Sequence, residues 1–247
     1  MQVVTLIGAA GIGKGRVVEE FLRQTAARER TVRAFRGLVH QGGPMLGPVQ
    51  RILRTRFGIT DQTDPEHAKE MLREAVSKLL DDRRVTEFLH FLGAYLEISF
   101  PESPFTKALE GEEEQLSRIS RAVLRSFLEA DAQAGPIILS FEGAHHAHDE
   151  TLDLIRYLEE SITAAPVMIV VSARPELTTR IPGWGEGPQH RRIEMAPLSA
   201  EEAGELVRAL LAPTGTPPEE LVDAAVDMAG GSPYLLEQMV RTFLDSK

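Results

Sequence analysis

The sequence predicts an α/β fold in which a parallel sheet carries helices on both faces and is followed by a small all-helical unit. Three observations lead there. An apolar run, Val3 to Ile7, passes through the glycine-rich turn Gly8-Ala9-Ala10-Gly11-Ile12-Gly13-Lys14-Gly15 into a helical pattern beginning Val17, Val18, Phe21, Leu22. Two further apolar runs, Ile137 to Phe141 and Val167 to Val171, sit between helical patterns, an alternation that gives buried parallel strands with helices on both faces. From residue 197 onward the pattern is helical only.

In chain order, a helix is expected over about 14–28 and a second strand over Thr31 to Val39, where polar and apolar residues alternate. Gly42, Gly43 and Pro44 break that strand. Apolar residues then recur at helical spacing over about 46–57, 65–80 and 85–96. Residues 97–112, with Pro101, Pro104 and Gly111, read as an exposed loop, and a long helix follows over about 113–133. These helices fall between the second strand and the next, so residues of about 46–133 are expected to form a helical insertion at one edge of the sheet. After the strand ending in Glu142 come a helix over about 149–163, the strand at 167–171, a loop over 177–189 holding the single tryptophan, Trp184, and a strand over Arg191 to Met195. Helices at about 199–212, 217–229 and 233–246 close the sequence, the first opened by a capping box of Ser199 and Glu202. The expected division is 1–196 for the sheet domain and 197–247 for the helical domain.

Composition bounds the function. The 247 residues are 43% hydrophobic and 26% charged, which is globular, and no apolar run approaches the ~18 residues of a membrane span. A net charge of −10 opposes non-specific attraction to nucleic acid. The clusters Arg51, Arg54, Arg56 and Arg191, Arg192 are accordingly read as solvated faces or phosphate-side contacts within the protein. The absence of cysteine excludes disulfides and thiolate metal sites. Met1 leads into a strand without a secretory leader, so a cytoplasmic location is expected.

Gly8, Gly13 and Lys14 fit the pattern G-x-x-x-x-G-K. Glycines let the backbone wrap a phosphate with its N–H groups, the helix N-terminus adds positive potential, and the lysine reaches the terminal phosphates. The next position normally offers a Ser or Thr hydroxyl to magnesium, but here it is Gly15. Phosphoryl-transfer sites also need a carboxylate at the end of a second core strand and a neighbouring acid to activate water. Glu142 stands in the first place and Gly143 in the second. His145, His146, His148 and Asp149 follow, but their spacing is wrong for a zinc site. The histidines read as solvent-facing or capping residues, and Asp149 as a helix cap.

With these strands in hand, the sequence resembles the AAA-like ATPase modules of the STAND class, signal-transduction ATPases found in bacterial transcription regulators and in multidomain kinases and cyclases. The resemblance rests on G-A-A-G-I-G-K followed by G-R-V-V-E-E-F, on L-S-F-E-G-A-H-H-A-H-D-E-T-L-D-L-I, on V-S-A-R-P-E-L, on M-A-P-L-S-A-E-E-A and on G-G-S-P-Y-L-L-E-Q. It implies a P-loop NTPase sheet with a helical lid. It implies ATP or ADP as cofactor, held by Gly8, Gly11, Ile12, Gly13, Lys14, Gly15 and Arg16, with Pro233 in the lid motif after Ser232. It makes Glu142 the metal-side acid and Arg174 the polar sensor near the terminal phosphate. Gly15, Gly143 and His148 depart from the family pattern, and the first two remove groups tied to magnesium and hydrolysis, so magnesium is expected to be held weakly and hydrolysis to be impaired.

Three functions stay open on this reading: a nucleotide-dependent switch or scaffold with little or no hydrolysis, a slow ATPase of a signalling regulator, and a protein-interaction domain that no longer binds nucleotide. Partners would be the adenine nucleotide and either protein partners or further domains of a larger regulator. Neither a membrane nor, through this region, nucleic acid is expected.

Overall fold

The computed structural model describes residues 1–108 and 111–245, so 109 and 110 of the expected loop, and 246 and 247 of the expected last helix and helical domain, lie outside the described residues. Five strands, β1 (Gln2–Ile7), β2 (Arg33–Leu38), β3 (Ile137–Glu142), β4 (Val167–Ala173) and β5 (His190–Glu194), form one sheet in the order β2-β3-β4-β1-β5. Every pairing is parallel, with Val3 of β1 lying between Ile169 of β4 and His190 of β5. The α/β class and the parallel sheet are those read from the sequence. From β1, next to the β5 edge, the chain crosses to the far edge at β2, and from β4 it passes over β1 to reach β5. Open α/β sheets bind ligands at such reversals, outside the carboxyl ends of the strands.

The two faces are packed unequally. Helix α1 (Lys14–Arg28) lies on one face, where Val18 joins Leu6, Ile138 and Val170 in a small cluster. On the other face α2 (Gly47–Phe57), α3 (Pro65–Ser77), α4 (Asp82–Leu96), α6 (Glu113–Asp131) and α7 (Asp149–Ser161) bury Val3, Ile7, Leu139, Phe141, Ile169 and Val171 in the main core. Phe88, Phe91 and Phe127 are wholly enclosed there. Helices α2 to α6 all fall between β2 and β3. Two short helices, α5 (Pro104–Ala108) and α8 (Glu176–Arg180), occupy stretches read as loops; at five residues each they are too short to display a helical period.

Buried polar groups tie distant segments together. Asp131, at the end of α6, is 1% exposed and receives Arg33 of β2 at 2.8 Å and both Nε and Nη2 of Arg56 of α2 at 2.7 and 2.5 Å. Burial would raise its carboxyl pKa, but the hydrogen bonds from Arg56 and Arg33 outweigh that and hold it below the ordinary value. Arg56 is therefore neither solvated nor phosphate-facing, whereas Arg54 reaches exposed Asp61. Towards the opposite edge of the sheet Trp184 Nε1 donates to Thr5 Oγ1 at 3.0 Å, His190 Nε2 meets the same oxygen at 2.7 Å, and His190 Nδ1 meets Glu159 of α7 at 2.9 Å. This chain fastens the loop between α8 and β5 to β1.

Helices α9 (Ala200–Leu211), α10 (Glu219–Ala229) and α11 (Pro233–Asp245) share a separate core of Ala203, Val207, Leu211, Val222, Ala225, Leu236 and Val240. The capping box is present, with Ser199 and Glu202 each bonding the other's backbone N–H. Among the described residues no helix is long and apolar enough to cross a membrane.

Candidate functional site

The glycine-rich turn closes the carboxyl end of β1 and starts α1. Gly11 (φ 74°) and Gly13 (φ 92°, the N-cap of α1) hold left-handed conformations that a side chain would disfavour. Gly8 is required by space, since a Cβ there would meet Ile12 Cγ2 at 2.8 Å and Met195 Cβ at 3.2 Å. Ile12 is buried beneath the loop, and its N–H donates to Ala9 O at 3.4 Å. Arg16 turns outward and pairs with Glu19 at 3.5 Å.

The Lys14 ammonium donates to two loop carbonyls, Gly8 O at 2.8 Å and Ala9 O at 2.7 Å. Burial holds its pKa below the ordinary value and nearby Arg174 lowers it further, while Glu176 opposes both. Arg174 follows the last residue of β4, as Lys14 follows the turn after β1, and these strands are neighbours. Among the described residues neither cation forms a salt bridge. Two adjacent cations, loop N–H groups and a helix N-terminus thus converge at the carboxyl ends of β1 and β4, which is an arrangement for binding phosphate oxygens.

His145 belongs to this site, although the sequence reading placed it in solvent or at a cap. Its Nδ1 accepts the backbone N–H of Arg174 at 3.3 Å, and its ring packs on His146 with centroids 4.0 Å apart. Burial, then the His146, Arg174 and Lys14 charges, push its pKa down to about 4 against the opposing Glu176, so the ring is neutral at neutral pH. A neutral ring accepting at Nδ1 carries its proton on Nε2, which is buried without a partner among the described residues. No spacing rule could have separated His145 from His148, whose ring instead reaches Gly43 O at 2.9 Å. His148 is also the N-cap residue of α7, so Asp149 is the first helical residue rather than the cap.

Glu142 ends β3 with its carboxylate beside Gly15, where a Cβ would stand 3.8 Å from Oε2. The other oxygen, Oε1, is held by Arg36 of β2, whose Nε and Nη2 approach to 2.8 and 2.7 Å. Gly143 has φ 79°, and a Cβ there would meet Val39 O at 3.2 Å. These residues do not fit a magnesium ion: Gly15 supplies no oxygen, Gly143 no acid, and the one carboxylate is engaged by a guanidinium. Among the described residues no group of three or more His, Asp or Glu is placed to hold a metal.

The start of α11 leans directly on the turn. Tyr234 N–H donates to Gly11 O at 3.1 Å, and Pro233 Cγ lies 3.9 Å from where a Gly13 Cβ would be. Behind it Leu198 N–H donates to Gly231 O at 2.9 Å, joining the start of the helical unit to the turn between α10 and α11.

A family model described as AAA ATPase domain matches residues 2–170. The chain is also 27% identical over 246 residues to an uncharacterized protein of Rhizobium meliloti (strain 1021), an alignment covering 96% of this chain and 22% of the relative, so it spans about a fifth of that protein's length. Among solved structures, a chain of the E. coli MS115-1 HORMA:CdnC:Trip13 complex aligns over 98% of this chain and 73% of its own length at 12% identity, with a TM-score of 0.45.

Proposed function

We propose that this chain, which belongs to the AAA ATPase domain family, binds ATP or ADP and works as a nucleotide-dependent switch or scaffold with little or no hydrolysis. The observation that carries the reading is the pair Lys14 and Arg174, two cations without salt-bridge partners among the described residues, beside a turn that holds Gly11 and Gly13 in left-handed conformations. When phosphate binds, the Lys14 ammonium exchanges the carbonyls of Gly8 and Ala9 for phosphate oxygens, and the N–H groups at the start of α1 complete the cradle. Arg174 would be the sensor and Pro233 part of a lid spanning residues from 197 onward, while Glu142, held by Arg36, stands beside Gly15 of the cradle.

The switch part follows from the seam between α11 and the turn. A ligand shifts an equilibrium only through differential contacts, and the bond from Tyr234 to Gly11 makes the helical unit respond to the conformation of the same loop that binds phosphate. Hydrolysis is disfavoured because Gly143 offers no base, a group that ordinarily contributes about 10² to 10⁴-fold.

The test is equilibrium titration with a fluorescent ATP or ADP analogue, with Lys14→Ala as control. Saturable binding that weakens at least about tenfold in Lys14→Ala supports the reading, since a charge-assisted contact is worth that much. Absence of binding, or binding indifferent to Lys14, refutes it.

A further inference from the structure

Arg36 has no place in the G-x-x-x-x-G-K motif and lies 106 residues from Glu142 in sequence, yet its guanidinium holds the carboxylate on which a nucleotide site of this kind would depend. The register explains the meeting. Leu38 of β2 is paired with Glu142 of β3 and Arg36 with Ser140, so Arg36 and Glu142 are diagonal neighbours on the face that also carries α1. The Glu142 side chain is 14% exposed and that of Arg36 47%, so a largely buried carboxylate is neutralised by a guanidinium that reaches it from solvent. Both donors fall on Oε1, leaving Oε2 facing Gly15.

A carboxylate beside a bound polyphosphate repels it unless a cation intervenes. A divalent metal would ordinarily be that cation, and the residues here do not fit one. We infer that Arg36 is the built-in counter-charge of this site: it neutralises Glu142 in place of a metal ion and so makes nucleotide binding independent of magnesium. The inference rests on the nucleotide-binding reading of Lys14 and Arg174 and assigns Arg36 the role of setting which form of the nucleotide, metal-free or metal-bound, the site accepts.

Removing the guanidinium leaves an uncompensated carboxylate next to the phosphates. Arg36→Gln is therefore expected to weaken metal-free nucleotide binding by about tenfold or more, the usual worth of a charge-assisted pair. Excess magnesium should recover most of that loss by supplying the missing positive charge. Glu142→Gln removes the repelling group itself, so the double variant Arg36→Gln/Glu142→Gln should bind metal-free nucleotide as the wild type does. Arg36 is half-exposed on an edge strand, and the double variant shows by its recovered affinity that the fold survives.

The experiment is titration of a fluorescent ATP analogue in EDTA and in excess magnesium chloride, with the wild type, Arg36→Gln, Glu142→Gln and the double variant. Wild-type affinity within about threefold between the two buffers, a metal-sensitive Arg36→Gln and rescue by the second change support the inference. A strict magnesium requirement in the wild type, or an Arg36→Gln variant unaffected in EDTA, overturns it while Lys14-dependent binding still stands. Loss of Lys14-dependent binding in both buffers overturns the nucleotide reading itself.

Discussion

Replacing Gly11 or Gly13 by alanine separates the strain of the turn from the contact that joins it to the helical unit. Both glycines are left-handed, and an L-residue there costs roughly 1–2 kcal/mol, or about 2–8 °C in the unfolding midpoint of a chain this size. Their surroundings differ. Among the described residues a Cβ on Gly13 would have only Pro233 Cγ nearby, at 3.9 Å, in ordinary contact. A Cβ on Gly11 would stand 3.0 Å from Tyr234 Cβ and 3.1 Å from Ser232 Oγ, so the start of α11 must shift by a few tenths of an ångström. That shift falls on the bond from Tyr234 N–H to Gly11 O, 3.1 Å long and worth about 0.5–1.5 kcal/mol. Gly11→Ala should therefore speed hydrogen exchange over residues 232–236 by about twofold to tenfold relative to Gly13→Ala, with both variants losing similar thermal stability. The comparison is made without nucleotide, by exchange mass spectrometry. Equal protection of α11 in the two variants would refute the idea that the helical unit rests on the turn.

Asp131→Asn should destabilise the fold by about 3–5 kcal/mol in urea titration, because it strips the compensating charge from Arg33 and Arg56. Its carboxyl pKa is depressed, so the stabilisation is complete above the ordinary aspartate value of 3.8 and is lost as pH falls through the lower native value; stability measured from pH 6 downward should fall less steeply in the variant. Thr5→Val keeps the volume but strands Trp184 Nε1 and His190 Nε2, and a loss of about 1–3 kcal/mol with altered Trp184 fluorescence is expected; unchanged stability would deny that this network anchors the loop before β5. Phosphate release at saturating ATP should be negligible for the unmodified chain, and Gly15→Thr/Gly143→Asp should gain more once Arg36→Gln frees Glu142; turnover in the unmodified chain abolished by Lys14→Ala would show that another group acts as base.

What the sequence disclosed is what local patterns encode. β3 and β4 are mostly apolar because both faces of the sheet centre are covered, and the glycine-rich turn is legible because its backbone demands particular residues at fixed spacing. Helices α5 and α8 were hidden because a single turn has no period. The partners of Glu142, Asp131 and Thr5 were hidden for a different reason. Arg36 meets Glu142, and Arg56 meets Asp131, only through strand register and helix packing, which no neighbouring residue reports. His145 stands among similar histidines, and only the position of Arg174 just past the end of β4 singles it out.

The placement of β1 between β4 and β5 has a consequence for synthesis on the ribosome. Its hydrogen-bonding partners are Met168–Ala173 on one side and His190–Glu194 on the other, so they emerge about 160 residues or more after β1 itself. At translation rates of about 5–20 residues per second, this apolar strand waits roughly 8–32 s for its first partner. Meanwhile α1 to α6 have emerged and can form local contacts, but the strand that carries the phosphate loop has both edges open. Pairings of such long sequence separation form late and expose unpaired strands to aggregation, so binding by a chaperone during synthesis should centre on residues 2–7 and be released once β4 has left the exit tunnel.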